Sequence, residues 1–142
     1  MSIMNAKEPA RGEKPVVLLV EDTATFRAVV ALKLRMSGVA VACAGNGQEA
    51  LEALESSRPD LVLFDVAMPV LDGVGLLRAI RADDRWKALP AIAMSAGTDE
   101  RRRNELEGLG IRGYFLKSTF TMDQLADAVA QSLATTPGCP AS

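Results

Sequence analysis

The 142-residue sequence contains no histidine. This absence excludes a Ser-His-Asp triad and a histidine-ligated zinc site, and it excludes a role as a histidine kinase or a phosphohistidine carrier. Whatever chemistry the chain performs must therefore use carboxylates, hydroxyls, lysine, backbone groups or a borrowed cation.

Cysteine is also scarce. Cys43 and Cys139 are the two cysteines of the sequence, and they form neither a C-x-x-C pair nor a disulfide framework. Such usage suits a reducing compartment and predicts a cytoplasmic protein. We expect Cys43 to be a small buried hydrophobic residue in a strand and Cys139 to be a stray thiol in a polar tail.

Long apolar runs and an excess of positive charge are missing as well. No run is long enough to span a bilayer, and the N-terminus lacks the apolar segment of a signal peptide. The sequence carries 16 basic and 18 acidic residues, and its formal net charge of −2 gives no electrostatic footprint for nucleic acid. We therefore expect neither a membrane nor a nucleic acid among the partners.

What the sequence does contain is five short apolar runs that alternate with five segments of helical periodicity. This alternation predicts a parallel sheet with helices on both faces. The predicted fold is α/β, a flavodoxin-like, doubly wound, five-stranded parallel sheet in the order 2-1-3-4-5 with five helices. One domain is expected over residues 15–134, between a flexible leader at 1–14 and a flexible tail at 135–142. The predicted strands are 16–20, 39–44, 61–64, 91–94 and 112–116, and the predicted helices are about 24–37, 46–57, 73–82, 98–108 and 121–133.

Several helix starts are predicted from capping residues. Thr98 is the expected N-cap of the fourth helix. Asn46 with Glu49, and Thr121 with Gln124, have the spacing of capping boxes and predict the starts of the second and fifth helices.

Polar side chains follow the predicted strands where each apolar run ends. Because the carboxyl ends of parallel strands meet at one edge of the sheet, we expect five of them to converge there. Three carboxylates against one ammonium leave a net local charge of about −2, and a hard divalent cation such as Mg²⁺ is the natural neutraliser. The five residues are Glu21, Asp22, Asp65, Ser95 and Lys117.

This arrangement indicates phosphoryl transfer to a carboxylate. Asp65 is the best-placed nucleophile, while Glu21 and Asp22 hold the metal. Lys117 can pair with one phosphoryl oxygen, and the Ser95 hydroxyl can donate a hydrogen bond to another. Taken alone, each acid is as easily a solvated loop charge, Ser95 a turn cap and Lys117 a surface lysine. Their joint placement is what argues for a site.

Four motifs together resemble the response regulator receiver domain over roughly residues 15–134. They are Val-Val-Leu-Leu-Val-Glu21-Asp22 with Arg27, Leu-Val-Leu-Phe-Asp65-Val-Ala-Met-Pro69 with Asp72-Gly73, Met94-Ser95-Ala96, and Tyr114-Phe-Leu-Lys117.

The resemblance implies that Asp65 is phosphorylated from the phosphohistidine of a sensor histidine kinase or phosphotransfer protein. It implies Mg²⁺ on Glu21 through water, on Asp22, on Asp65 and on the backbone carbonyl of Ala67.

The resemblance also implies a conformational switch. Ser95 is expected to move toward the phosphoryl group, and the Tyr114 ring to change rotamer. The face formed by the fourth helix, the fifth strand and the fifth helix then changes its affinity for a downstream protein target. Phosphorylation-dependent dimerisation is left open. The fourth helix has few apolar residues, which makes it a plausible mobile element, and its arginines Arg101 to Arg103 are expected to form a solvated face.

Two positions depart from the family pattern. Ser118 stands where a proline usually follows the lysine, which puts the orientation of Lys117 in doubt. Glu21 replaces the commoner aspartate with a longer side chain.

We predict a stand-alone receiver in a phosphorelay or chemotaxis-like pathway, which catalyses its own phosphorylation and dephosphorylation and acts on no separate substrate. The alternatives are a pseudo-receiver that binds partners without phosphorylation and a receiver module of a larger hybrid kinase system. From other classes, a flavodoxin conflicts with Glu21 and Asp22, which would repel a flavin phosphate. A haloacid-dehalogenase-like phosphatase would need a second acid at Ala67.

Overall fold

The computed structural model describes residues 14–134, in which five strands alternate with five helices. The predicted leader and tail therefore lie outside the described residues, apart from Lys14. The elements are β1 (Val16–Val20), α1 (Ala24–Met36), β2 (Ala40–Ala44), α2 (Gly47–Ser57), β3 (Leu61–Asp65), α3 (Gly73–Ala82), β4 (Ala91–Ser95), α4 (Glu100–Leu109), β5 (Gly113–Leu116) and α5 (Met122–Ala134).

The strands form one parallel sheet in the order β2-β1-β3-β4-β5, which confirms the predicted fold. β1 pairs with β2 on one side and with β3 on the other, so the strand order reverses between β1 and β3. In open α/β sheets this reversal opens a crevice at the carboxyl ends of the strands, where ligands bind.

Helices cover both faces of the sheet and bury two hydrophobic clusters. One cluster packs α2, α3 and α4 against the sheet, and the other packs α1 and α5 against the opposite face. All five residues of β3 are buried, with Val62 and Phe64 in the first cluster and Leu61 and Leu63 in the second. Burial on both faces explains why the central apolar run is unbroken in the sequence.

The capping predictions are confirmed for two helices and wrong for a third. Asn46 Oδ1 accepts a hydrogen bond from the Glu49 amide at 2.9 Å. Thr121 and Gln124 form a reciprocal pair, in which each side-chain oxygen accepts from the other residue's amide.

Asp99, not Thr98, caps α4. Its backbone is extended, and its Oδ1 accepts from the Arg102 amide at 3.1 Å. The predicted cap is therefore displaced by one residue to a carboxylate, which also interacts favourably with the positive end of the helix dipole.

The helices α3 and α4 differ sharply in how much they bury. α3 buries five of its ten residues, whereas α4 buries Leu106 alone. Two ion pairs add to the attachment of α4 to α3: Arg102 lies 3.4 Å from Asp72, and Arg78 lies 3.2 Å from Glu105. A helix held this way has little burial to fix its position.

The arginines of α4 only partly match the expected solvated face. Arg101 is exposed, but Arg102 and Arg103 are half-buried. Arg102 pairs with Asp72, and Arg103 lies over the ring of Tyr114. The sequence did not predict these contacts, because the neighbouring helix and strand supply partners that the local sequence does not show.

At the amino ends of the strands, Arg81 ties the loops together. Its guanidinium donates to Leu109 O at 2.8 Å, Gly110 O at 2.7 Å and Leu89 O at 2.8 Å. These carbonyls belong to the end of α4 and to the loop entering β4, so one side chain satisfies backbone acceptors from both segments.

The end of α5 returns to this same edge. Arg112, next to the start of β5, donates through Nη1 to the Ser132 carbonyl at 3.4 Å. The last turn of α5 therefore lies beside the beginning of the strand that precedes it.

Cys43 is exposed, which corrects the expectation that it is buried. It lies in β2, an edge strand that pairs with β1 alone and is less covered than the central strands. Cys139 lies outside the described residues. Within residues 14–134, no helix is both long and apolar enough to cross a membrane.

Candidate functional site

The carboxyl edge of the sheet brings together the residues that the sequence singles out. Glu21 directly follows β1, Asp65 ends β3, Ser95 ends β4 and Lys117 follows β5. The register aligns Asp65 with Met94 and Ser95 with Leu116, so the polar residues emerge at the same level. Parallel pairing alone thus converts four distant segments into one pocket.

Three carboxylates form the acidic part of this pocket. Glu21, Asp22 and Asp65 each place a carboxylate oxygen within 4.8 Å of the other two. Glu21 is 0% and Asp65 4% exposed, whereas Asp22 is exposed at the mouth. Asp65 Oδ1 is buried and has no hydrogen-bond donor among the described residues. An acceptor left in this condition is costly, and a hard cation would satisfy it.

Lys117 provides the positive charge inside the pocket. Its Nζ lies 2.9 Å from Glu21 Oε1 and 3.2 Å from Asp65 Oδ2, and it stands 4.7 Å from the ring centroid of Phe26. Burial disfavours the charged ammonium, but the contacts with Glu21 and Asp65 outweigh it and the pKa of Lys117 is raised. The lysine therefore stays protonated between the two acids.

Replacing the usual proline by Ser118 does not turn Lys117 away from the acids. The Lys117 amide donates to Ser95 O at 2.7 Å, which fixes the backbone at the end of β5. All peptide bonds of residues 14–134 are trans. The doubt raised by the sequence about the orientation of Lys117 is thereby answered by the contacts of its side chain.

The protonation of Asp65 reflects its crowded surroundings. Burial, followed by the neighbouring Glu21 carboxylate, raises the pKa of Asp65, and the ammonium of Lys117 opposes this effect only in part. The pocket thus holds more negative charge than its own lysine can balance.

Two contacts that the sequence did not predict hold Glu21 in place. The Thr23 amide donates to Glu21 Oε2 at 3.1 Å, and Arg27 Nη1 donates to the Glu21 carbonyl at 2.6 Å. The presence of Arg27 in the first motif was a signal for such a role, but its partner becomes visible only in three dimensions.

Ser95 interacts with its own loop in this structure. Its Oγ donates to the Gly97 carbonyl at 2.5 Å and accepts from the Gly97 amide at 3.2 Å. These are the contacts of a turn-capping serine. A hydrogen bond to a group on Asp65 would require the Ser95 hydroxyl to leave Gly97.

Tyr114 lies half-buried beneath α4. The guanidinium of Arg103 stands 4.8 Å from its ring centroid, and its hydroxyl oxygen is buried without a hydrogen-bond partner among the described residues. Tyr114 pairs with Ala93 of β4 and packs against the cluster that includes Leu106.

The loop after Asp65 is tightly fixed at its base and strained at its tip. Gly73 donates its amide to Val66 O at 2.8 Å, and a Cβ at Gly73 would lie 2.8 Å from Asp65 O, so only glycine fits. Val70 has a φ of +71°, a conformation that disfavours a β-branched residue, and the Leu71 amide closes a γ-turn onto Pro69 O at 2.8 Å. Ala67 lies exposed between these two parts.

A family model of the response regulator receiver domain matches residues 17–130. The chain belongs to this family. Receiver domains are signalling switches rather than substrate-converting enzymes. They bind Mg²⁺ at an acidic site and act with histidine kinases or phosphotransfer partners. The flavodoxin and haloacid-dehalogenase alternatives are thereby excluded.

The chain matches nearly the whole length of one kind of curated protein and a smaller part of a second, longer kind. It is 35% identical over 114 residues to the chemotaxis protein CheY of Pseudomonas aeruginosa, covering 80% of this chain and 91% of CheY. It is 39% identical over 87 residues to the transcriptional regulatory protein PrrA of Mycobacterium tuberculosis, covering 61% of this chain and 37% of PrrA. The chain thus spans about two fifths of the length of the transcriptional regulators it matches.

Solved receiver structures share its fold. A response regulator receiver protein from Pseudomonas putida superposes with a TM-score of 0.78 at 30% identity, covering 84% of this chain and 98% of that one. The receiver domain of a sensor histidine kinase from Pseudomonas aeruginosa gives a TM-score of 0.77 at 30% identity, covering 86% and 99%. That receiver was solved with a magnesium ion coordinated in its active site cleft.

Proposed function

We propose that this receiver accepts a phosphoryl group on Asp65 from a phosphohistidine. In the transfer, an Asp65 carboxylate oxygen forms a bond to phosphorus as the phosphorus–nitrogen bond breaks, and the electron pair of that bond leaves with the donor's imidazole. The observation that carries the proposal is the buried Asp65 carboxylate. One of its oxygens is paired with Lys117, and the other has no donor among the residues that the structure describes.

The acidic trio supports Mg²⁺ as the required cofactor. Asp22, Asp65 and the backbone carbonyl of Ala67 would hold the ion directly, and Glu21 would hold it through water. When bound, the ion supplies positive charge that neutralises the phosphoryl oxygens. The trio fits a hard cation because three carboxylates converge and the buried Asp65 Oδ1 has no hydrogen-bond partner in the described part of the chain.

The remaining roles belong to Lys117 and Ser95. Lys117 already contacts Asp65, so its ammonium is positioned to pair with an oxygen of the new acyl phosphate. Ser95 would exchange its bond with Gly97 for a phosphoryl oxygen. With these two roles, the proposed gain and loss of the chain's own phosphoryl group is accounted for by the residues of this pocket.

The readout we propose is a change in partner binding through the face formed by α4, β5 and α5. Two features support this choice: α4 buries one residue, and Tyr114 of β5 lies beneath it. A phosphoryl group adds charge and acceptors at the carboxyl edge, and it shifts any equilibrium in which one arrangement of the Ser95 loop contacts it better. Reversible binding of a downstream protein would follow in the cytoplasm, a compartment that the cysteine usage favours.

A receiver module within a hybrid kinase system is the second candidate. The similarity to receiver domains of sensor histidine kinases, with TM-scores of 0.77 and 0.78, favours it. The chemistry at Asp65 would be the same, and the donor would then be a histidine of the same signalling assembly. A pseudo-receiver is less well supported because the acids and the lysine are all present and in contact.

The experiment that tests the proposal is intact-protein mass spectrometry after treatment with acetyl phosphate. The unmodified chain should gain one phosphoryl group with Mg²⁺ and little without it, and Asp65→Asn should gain none. Asp22→Asn is the matched control, because it should retain the acceptor but need far more Mg²⁺. Equal labelling of Asp65→Asn and the unmodified chain would refute the assignment.

A further inference from the structure

The side chain of Arg103 covers Tyr114. The Arg103 guanidinium carbon stands 4.8 Å from the centroid of the Tyr114 ring, and its Nε is held by Glu107 Oε2 at 3.1 Å, one turn further along α4. A guanidinium over an aromatic face within about 6 Å is attracted by the ring quadrupole. The contact therefore joins α4 to β5 through two side chains.

The Tyr114 hydroxyl is in an unfavourable place for a polar group. Its oxygen is buried and accepts or donates no hydrogen bond among residues 14–134. Tyrosine hydroxyls usually find a partner when they are buried, and leaving one without a partner is costly. A rotamer that places the hydroxyl in water would remove this cost, so the observed rotamer needs a compensating contact.

Two kinds of contact are available to compensate. The ring packs against the apolar cluster that includes Leu106, and Arg103 lies over its outer face. The apolar contact persists as long as α4 stays in place, and the guanidinium of Arg103 adds a second contact to the ring. Arg101, two residues earlier on the same helix, is exposed and makes no such contact.

We propose that Arg103 is the positioning residue that keeps Tyr114 in its buried rotamer and couples displacement of α4 to exposure of the Tyr114 hydroxyl. α4 is suited to such displacement, because Leu106 is its one buried residue. Movement of the helix carries Arg103 off the ring and leaves the unpaired hydroxyl free to turn outward. The link from this movement to phosphorylation rests on the proposed function, whereas the hold of Arg103 on Tyr114 does not.

The chain offers a clean probe, because Tyr114 is the one tyrosine of the whole sequence. Incorporating 3-fluorotyrosine into the full chain gives a ¹⁹F resonance that reports this ring alone. Its H₂O/D₂O shift and its broadening by a dissolved paramagnetic agent measure how far the ring edge is exposed.

Arg103→Gln should raise the ratio of exposed to buried ring by roughly two- to fivefold, the factor that corresponds to an exposed cation–π contact. Arg103→Lys should restore part of the buried population because it keeps a cation. Arg101→Gln should leave the spectrum unchanged. The proposal is overturned if Arg103→Gln gives the spectrum of the unmodified chain, or if Arg101→Gln exposes the ring equally.

A second arm separates this proposal from the proposed function. Adding acetyl phosphate and Mg²⁺ to the unmodified chain should shift the ¹⁹F populations, and Arg103→Gln should give a shift of different size because its starting population differs. If the unmodified chain is phosphorylated without any ¹⁹F response, the coupling half of this proposal is overturned. If it is not phosphorylated at all, the proposed function fails, and the effect of Arg103→Gln without phosphodonor still decides the hold on Tyr114.

Discussion

The two edges of the parallel sheet differ in how completely their charged and polar groups are paired. At the amino edge, Arg81 donates to carbonyls from two segments, so its charge and their lone pairs satisfy one another. At the carboxyl edge, Glu21, Asp22 and Asp65 face one ammonium, and the buried Asp65 Oδ1 has no hydrogen-bond donor within residues 14–134. The first edge stabilises the fold, whereas the second keeps an excess of negative charge that a bound cation could neutralise.

This difference indicates that the features unfavourable for stability lie at the carboxyl edge of the sheet. Functional sites commonly violate rules of charge pairing and backbone geometry that the rest of a fold obeys. Here the violations cluster at one edge of the sheet. They are the like-charged acids, the buried Asp65 oxygen that has no hydrogen-bond donor among the described residues, and the positive φ of Val70. Removing an acid at the carboxyl edge should therefore have the opposite sign to removing Arg81 at the amino edge.

The largest effect is expected from Lys117→Met, which leaves Glu21 and Asp65 buried without their cation. We expect a loss of about 2–3 kcal/mol in the free energy of unfolding. Denaturation by urea measures it, and Asp65→Asn in the same chain should recover part of the loss, because one of the stranded charges is gone. Lys87→Met is the control: its pair with Asp84 is exposed at 3.6 Å, so it should cost below about 0.5 kcal/mol. Equal losses for the two variants would contradict the comparison.

At the amino edge, Arg81→Gln should cost about 2 kcal/mol, because several carbonyls lose a charged donor at once. Arg78→Gln on the same helix removes an exposed pair with Glu105 and should cost little. Phosphorylation of Asp65, measured by mass spectrometry below the melting temperature, should be retained in both. A loss of labelling in Arg81→Gln at temperatures where it is folded would show that the edges are not independent.

Asp65→Asn should have the opposite sign and stabilise the chain by about 1 kcal/mol without Mg²⁺, since it removes a poorly balanced charge. Burial and Glu21 raise the pKa of Asp65 in the folded state. Ionisation of this carboxyl therefore costs stability at pH values above the raised pKa, and the cost disappears as pH falls through it. The gap between variant and unmodified chain should accordingly be widest near neutral pH and narrow in acid.

Calorimetry with and without Mg²⁺ checks this sign. The ion should raise the melting temperature of the unmodified chain and much less that of Asp65→Asn. Asp22→Asn serves for comparison, because Asp22 is exposed and its neutralisation should change stability little. A variant less stable than the unmodified chain at neutral pH without Mg²⁺ would remove the argument for an excess of negative charge at the carboxyl edge.

The smallest effect is expected at the loop tip. Val70→Gly should stabilise the chain by about 0.5 kcal/mol, because glycine adopts a positive φ freely while its extra freedom in the unfolded state takes back part of the gain. Val29→Gly is the matched control. Val29 is also exposed but lies within α1, where glycine should destabilise by a similar amount. Thermal melts that give the same sign for both would argue against strain at Val70.

The sequence predicted the fold and the members of the pocket because both follow from local patterns. Apolar runs gave the strands, and the polar residue that ends each run gave Glu21, Asp65 and Lys117. Parallel pairing then brings such residues to one edge without any knowledge of side-chain contacts.

What the sequence could not predict depends on contacts between distant segments. The partners of Arg81 belong to the loop before β4 and to the end of α4, and nothing near Arg81 announces them. The Arg103–Tyr114 contact joins residues on separate elements in the same way. Cys43 was misjudged because its strand lies at an edge. The positive φ of Val70 was not predicted, because a valine gives no sign of such a conformation.

The return of α5 beside Arg112 has a practical consequence. Residue 14 precedes β1 and residue 134 closes α5, so both points lie on the side of the sheet away from Asp65. A fluorescent reporter, an affinity handle or a neighbouring module tethered at either point would lie at the opposite edge of the sheet and leave the proposed acceptor carboxylate accessible.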